Sequence, residues 1–109
     1  MTFQRRVMSL LAGAMVGFVA AAPVNATDVT AGMELAKKHC ARCHAIAPGE
    51  TSGHKQAPAF TEVVTRYPPS DLAEALAEGI VTGHPDMPEF VFPPEQIEAL
   101  IVYLESLQQ

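Results

Sequence analysis

The sequence predicts an all-α domain of three to four helices joined by long loops. Three observations lead there. Apolar residues recur at helical spacing in residues 29–41, 71–78 and 94–107. No stretch alternates apolar and polar residues long enough for a sheet. Between the helical stretches, residues 45–58 and 79–92 are rich in Gly and Pro.

The first helix is expected over 29–41, with Thr30 as its N-cap and Leu35, Ala36, His39 and Cys40 recurring at helical spacing. Met33 lies on this helix seven residues before Cys40 and should pack on the same side as it, and His39 reads as a surface residue. Gly32 inside it costs ~1 kcal/mol relative to Ala, and such a glycine often marks close approach by another helix. Phe60 to Tyr67 suits a short helix ended by Pro68-Pro69. Ser70 is expected to cap a helix from Asp71 to Glu78, with Leu72, Ala73, Leu76 and Ala77 as its apolar face, and Gly79 to stop it. Pro94 suits the first turn of the last helix, because its missing N–H has no partner there anyway, and Glu95 suits the helix dipole. Ile97, Leu100, Ile101, Leu104 and Leu107 form its stripe, flanked by Tyr103.

Residues 1–26 read differently from the rest. Arg5 and Arg6 precede 16 uncharged residues, Val7 to Ala22, and small residues end the segment at Val24-Asn25-Ala26. This is the pattern of a secretory signal, and the run is short of the ~20 apolar residues of a membrane-spanning helix. The expected organisation is therefore a signal over 1–26, cleaved after Ala26, and one domain over 27–109. Retention of the segment as an anchor is the alternative.

The remaining 83 residues carry a net charge of −7, with no Trp. Such an acidic chain is a poor nucleic-acid binder and has no basic face for anionic lipid. A core this thin usually needs a disulfide set, a metal or a cofactor to hold it together.

The cysteines suggest which. The two in the chain, Cys40 and Cys43, are followed at once by His44. A bare C-x-x-C in an exported chain could be a disulfide or a thiol redox pair, but C-x-x-C-H is the attachment site of a c-type haem. Two thiols so spaced can add across two vinyl groups, and the next imidazole then falls beneath the iron. A zinc site would need another Cys or His pair at suitable spacing. For the second axial position the leading candidate is Met87, in Gly83-His84-Pro85-Asp86-Met87-Pro88, where two prolines hold the loop extended. His84 is the rival and His54 a weaker one. Phe60, Ile80, Phe90, Phe92, Leu100 and Leu104 are expected to line the haem pocket. Tyr67, Arg42 and Arg66 are candidate partners for the propionates.

Four features together resemble the small bacterial class I cytochromes c. They are Gly32 ahead of Cys40-Ala41-Arg42-Cys43-His44, then Ala57-Pro58-Ala59-Phe60, then Met87-Pro88, and a final helix with Ile101-Val102-Tyr103-Leu104. The resemblance covers nearly all of the 83 residues. It implies the cytochrome c fold, with helices and loops wrapped around one covalent haem c. It implies that the first and last helices cross at Gly32, facing Tyr103. It implies that the Pro58 carbonyl accepts a hydrogen bond from His44, and that Met87 is the second iron ligand. The implied function is one-electron transfer between redox proteins in the periplasm, by a monomer forming transient complexes, without catalysis and without nucleic acid or membrane as partner. The chain departs from the family's lysine-rich docking face. Lys37, Lys38 and Arg42 are its one basic cluster, and acids fill the C-terminal half. The alternatives are a dedicated cytochrome subunit of a periplasmic dehydrogenase or oxidase, a haem sensor or peroxidase-like protein with an open sixth site, and a haem-free thiol oxidoreductase.

Overall fold

A helix forms where an apolar stripe can be buried and the end groups are matched. The computed structural model, which describes residues 10–20, 26–81 and 83–108, contains four helices and no strand among them. They are α1 (Ala26–His39), α2 (Phe60–Arg66), α3 (Pro69–Glu78) and α4 (Pro94–Ser106). The all-α expectation holds.

α1 starts three residues earlier than expected, so Thr30 lies inside the helix rather than at its N-cap. Asp28 falls in the first turn and Lys37, Lys38 and His39 in the last, matching the helix dipole at both ends. Ser70 is likewise inside its helix. Pro69 takes the first helical position, where a fixed φ and a missing N–H are no handicap, and Pro68 takes the N-cap. The Pro93-Pro94 pair repeats this at α4, where the Pro93 carbonyl accepts from Gln96 and Ile97 N–H at 3.0 and 3.1 Å. α3 ends on Gly79, whose φ of 102° disfavours any side chain.

The centre of the fold is the crossing of α1 and α4, its largest helix interface, with α3 also packed on α4. Gly32 makes the crossing possible. A Cβ there would clash with the Ala99 carbonyl and stand 2.6 Å from Tyr103 Cβ. Tyr103 is buried rather than flanking, and its hydroxyl donates to the Ile46 carbonyl at 2.5 Å, tying α4 to the segment after α1. Burial raises the pKa of this phenol, Glu50 adds to the rise and Lys37 opposes it, so it stays a donor at neutral pH. Around the crossing, Ala36, Ile46, Phe60, Val64, Phe92, Ile97, Leu100, Leu104 and Leu107 form one buried cluster, with Met33, Leu72, Ala73, Leu76 and Phe90 packed against it.

Residues 10–20 have no regular secondary structure, and Leu10, Leu11, Met15, Phe18 and Val19 are almost fully exposed. Arg5, Arg6, Val24 and Asn25, which carry the rest of the signal pattern, lie outside the described residues. No helix among the described residues is long and apolar enough to cross a membrane.

Candidate functional site

The site begins where α1 ends. Cys40 N–H still bonds back to the Ala36 carbonyl at 2.8 Å, and Ala41 N–H bonds to the same oxygen at 3.0 Å, which closes the helix. A further turn follows at once. The Cys40 carbonyl accepts from Cys43 N–H at 3.1 Å and from His44 N–H at 2.9 Å. This turn gathers both cysteines and the histidine at the C-terminal end of one helix.

The loop from Ala45 to Ala59 wraps this turn. Ala45 N–H donates to Ser52 Oγ at 3.0 Å, and the Glu50 carboxylate accepts from Ile46 and Ala47 N–H at 3.3 and 3.4 Å. His54 N–H donates to the Cys43 carbonyl at 3.1 Å. A Cβ on Gly53 would meet the Arg42 carbonyl at 2.8 Å, so the two backbones lie in close contact. Phe60 N–H then donates to the Ala45 carbonyl at 2.8 Å, which sets the start of α2.

This wrapping fixes His44. Its Nδ1 lies 2.7 Å from the Pro58 carbonyl, an oxygen that can only accept, so Nδ1 carries the proton and donates. The Phe60 ring packs against the imidazole, with centroids 5.4 Å apart and planes inclined by 48°. Nε2 makes no hydrogen bond among the described residues. The tautomer set by Pro58 leaves the Nε2 lone pair available to a metal, the usual arrangement of a ligating histidine.

The cysteines are unpaired, and both are half-buried. Burial pushes the Cys40 thiol up to about 11. Reactive redox cysteines show the opposite shift and commonly sit at helix N-termini. Cys40 follows a helix C-terminus, where the dipole also disfavours a thiolate. A haem-free thiol oxidoreductase is thus a poor match to the site. No cluster of three or more His, Cys, Asp or Glu side chains able to hold a metal ion occurs among the described residues.

Met87 lies half-buried on the loop between α3 and α4, its N–H bonded to the His84 carbonyl at 3.1 Å. Together with Ile80, Val81, Gly83, His84, Pro85 and Glu89 it lines a shallow cavity. The loop returns to α3 where Phe92 N–H donates to the Leu76 carbonyl at 3.1 Å. It also meets the attachment turn through His54, whose Nε2 lies 3.1 Å from Asp86 Oδ2.

The other expected positions divide. Phe60, Phe92, Leu100 and Leu104 are buried, and Phe90 and Ile80 are half-buried. Arg66 is paired with Glu62, while Arg42 and Tyr67 are exposed. His39 is not a plain surface residue. It is half-buried edge-on against Phe90 and Phe92, at centroid distances of 5.6 and 5.3 Å, because the returning loop crosses the end of α1. The reading from sequence missed this packing, the Glu50 and Ser52 braces, and the pairing of His54 with Asp86. Each joins segments distant from one another or closes a loop with no periodic pattern.

A helical fold, a C-x-x-C-H turn and a carbonyl-braced imidazole define a c-type cytochrome. Comparison with known proteins agrees. The family described as cytochrome c oxidase, cbb3-type, subunit III matches residues 27–104. The cytochrome c-552 of Bradyrhizobium diazoefficiens is 34% identical over 83 residues, covering 76% of this chain and 78% of that protein. No solved structure matches. The chain belongs to the cytochrome c family, as a small class I member with a single haem-attachment motif. Members of the family hold haem c covalently and act as electron carriers.

The residues present fit that group. Two half-buried thiols and one oriented imidazole lie within a single turn, beside the apolar side chains of Phe60, Leu100 and Leu104.

Proposed function

We propose that the protein is a periplasmic one-electron carrier between redox proteins. In this reading Cys40 and Cys43 would attach haem c through thioethers, and His44 and Met87 would hold its iron. Residues 1–26 act as a cleaved export signal, and the domain is 27–109. The observation that carries the reading is the Nδ1 contact of His44 with Pro58, made from the residue directly after the cysteine pair. When bound, haem supplies an iron that exchanges one electron at a time.

The chain's own residues do the rest. Pro58 holds the imidazole in one tautomer and makes it a better donor to the metal. Met87 offers a neutral, soft thioether, which favours reduced iron and raises the potential. With both His44 and Met87 holding the iron, no position would remain for a substrate, as a sensor or peroxidase needs. Phe60 and the buried cluster keep water away and disfavour the extra charge of the oxidised state. Residues 67–109 carry eight acids and no Lys or Arg, while Lys37, Lys38, Arg42, Lys55 and Arg66 lie in the preceding segments. This asymmetry gives the domain a dipole that orients encounter with charged partners. The domain's net charge of −7 makes the protein a poor partner for nucleic acid, and a monomer in transient complexes suits such steering.

The matched oxidase-subunit family supports a second reading, a cytochrome subunit held tightly by one oxidase. Co-purification from the native host separates the two. A redox titration followed by absorption tests the leading one. A single reversible one-electron transition is expected, and the reduced protein should resist carbon monoxide. Rapid, full binding of carbon monoxide would instead indicate an open sixth site.

A further inference from the structure

We propose that His54 and Asp86 form a positioning clip that holds the Met87 loop to the haem-attachment turn; this rests on Met87 being the axial ligand. A continuous series of contacts runs from one to the other. His54 N–H is bonded to the Cys43 carbonyl, and Gly53 lies against the Arg42 carbonyl. The backbone of His54 is therefore fixed to the C-x-x-C-H turn itself. Its ring is fixed as well. Gln56 N–H donates to Nδ1 at 3.1 Å, and this bond needs an unprotonated Nδ1. The proton of the neutral ring then sits on Nε2, which points its N–H at Asp86 Oδ2, 3.1 Å away. The clip works with an uncharged imidazole and a carboxylate.

At its other end the clip meets a stiff segment. Pro85 and Pro88 fix φ on either side of Asp86-Met87 and remove two N–H groups from the loop. The neighbouring glycine, Gly83, has φ of 76° and a side-chain-free turn, so the loop is bent there rather than packed. Asp86 is thus a handle one residue from the thioether. Holding it limits how far Met87 can withdraw. The two side chains are 34% and 75% exposed, so a modest strength is expected, and its effect should appear at the iron more than in global stability.

The test uses the haem-loaded ferric protein with imidazole as the competing ligand. Imidazole affinity is read alongside the thioether-to-iron charge-transfer absorption and the thermal unfolding midpoint. Asp86→Ala should tighten imidazole binding roughly fivefold, the loss of about one hydrogen bond holding the loop closed. His54→Ala should do the same, and the double variant should add nothing further. Asp86→Asn keeps an oxygen for the Nε2 proton and should restore affinity to within about twofold of the parent. In a Met87→Ala background, Asp86→Ala should have no effect.

Unchanged imidazole affinity in Asp86→Ala, while Met87→Ala tightens it, overturns the clip and leaves the ligand reading standing. A lowered unfolding midpoint without any change in affinity also overturns it, since that is a merely structural role. An equal effect with and without Met87 overturns it too. If Met87→Ala leaves both affinity and absorption unaltered, the ligand reading fails and the clip with it.

Discussion

Met87→Ala should lower the reduction potential, open the iron to carbon monoxide and destabilise the haem-loaded protein. The potential should fall because a neutral thioether that favours reduced iron is lost, on a scale where axial ligands set potentials over about 0.8 V. Carbon monoxide should bind because alanine cannot fill the position. The stability loss comes from the chain. Met87 lies 43 residues after His44, and an iron bond between them closes that loop. By analogy with disulfide loops the closure is worth roughly 4 kcal/mol, an upper bound for a bond that opens reversibly. Spectroelectrochemistry and denaturant unfolding check both parts. A variant that keeps the parent spectrum and potential would move the ligand to another residue, with His84 on the same loop the first to examine.

The second large effect is expected at the crossing of α1 and α4. Gly32→Ala should destabilise the fold by on the order of 3 kcal/mol, because neither neighbour can move aside. One is the Ala99 backbone carbonyl and the other is Cβ of Tyr103, both on α4. Helix propensity alone predicts the opposite sign, a gain of ~1 kcal/mol for replacing a mid-helix glycine. The two effects compete, and the clash wins because separating α1 from α4 also loosens the buried cluster built on Leu100, Tyr103 and Leu104. For a domain of this size the melting temperature should drop by roughly 4–8 °C per kcal/mol lost. A raised melting temperature would contradict the close crossing.

Features with local causes were legible in the sequence. The C-x-x-C-H spacing is readable because two thioethers and an imidazole must come from one turn. Pro94 at the start of α4 and Gly79 at the end of α3 are readable because their backbones permit little else. Gly32 could be flagged, although its facing residue came from the family resemblance. Helix starts were less legible. Thr30 and Ser70 are good caps in isolation, but the residues before them also accept helical geometry. The contacts least legible were tertiary. His39 reads as a surface residue until Phe90 and Phe92 close over it. His54 and Asp86 are 32 residues apart, and no periodicity links them.

Cys40 and Cys43 are expected to hold haem covalently beside His44. The most direct measurement is a haem stain of a denaturing gel of the protein made in cells with c-type maturation, paired with its intact mass. The stain should travel with the chain, the mass should exceed that of the polypeptide by one haem, and replacing both cysteines with alanine should abolish both signals. A haem-free band, or haem released on denaturation, would contradict covalent attachment and with it the electron-transfer function proposed for this fold.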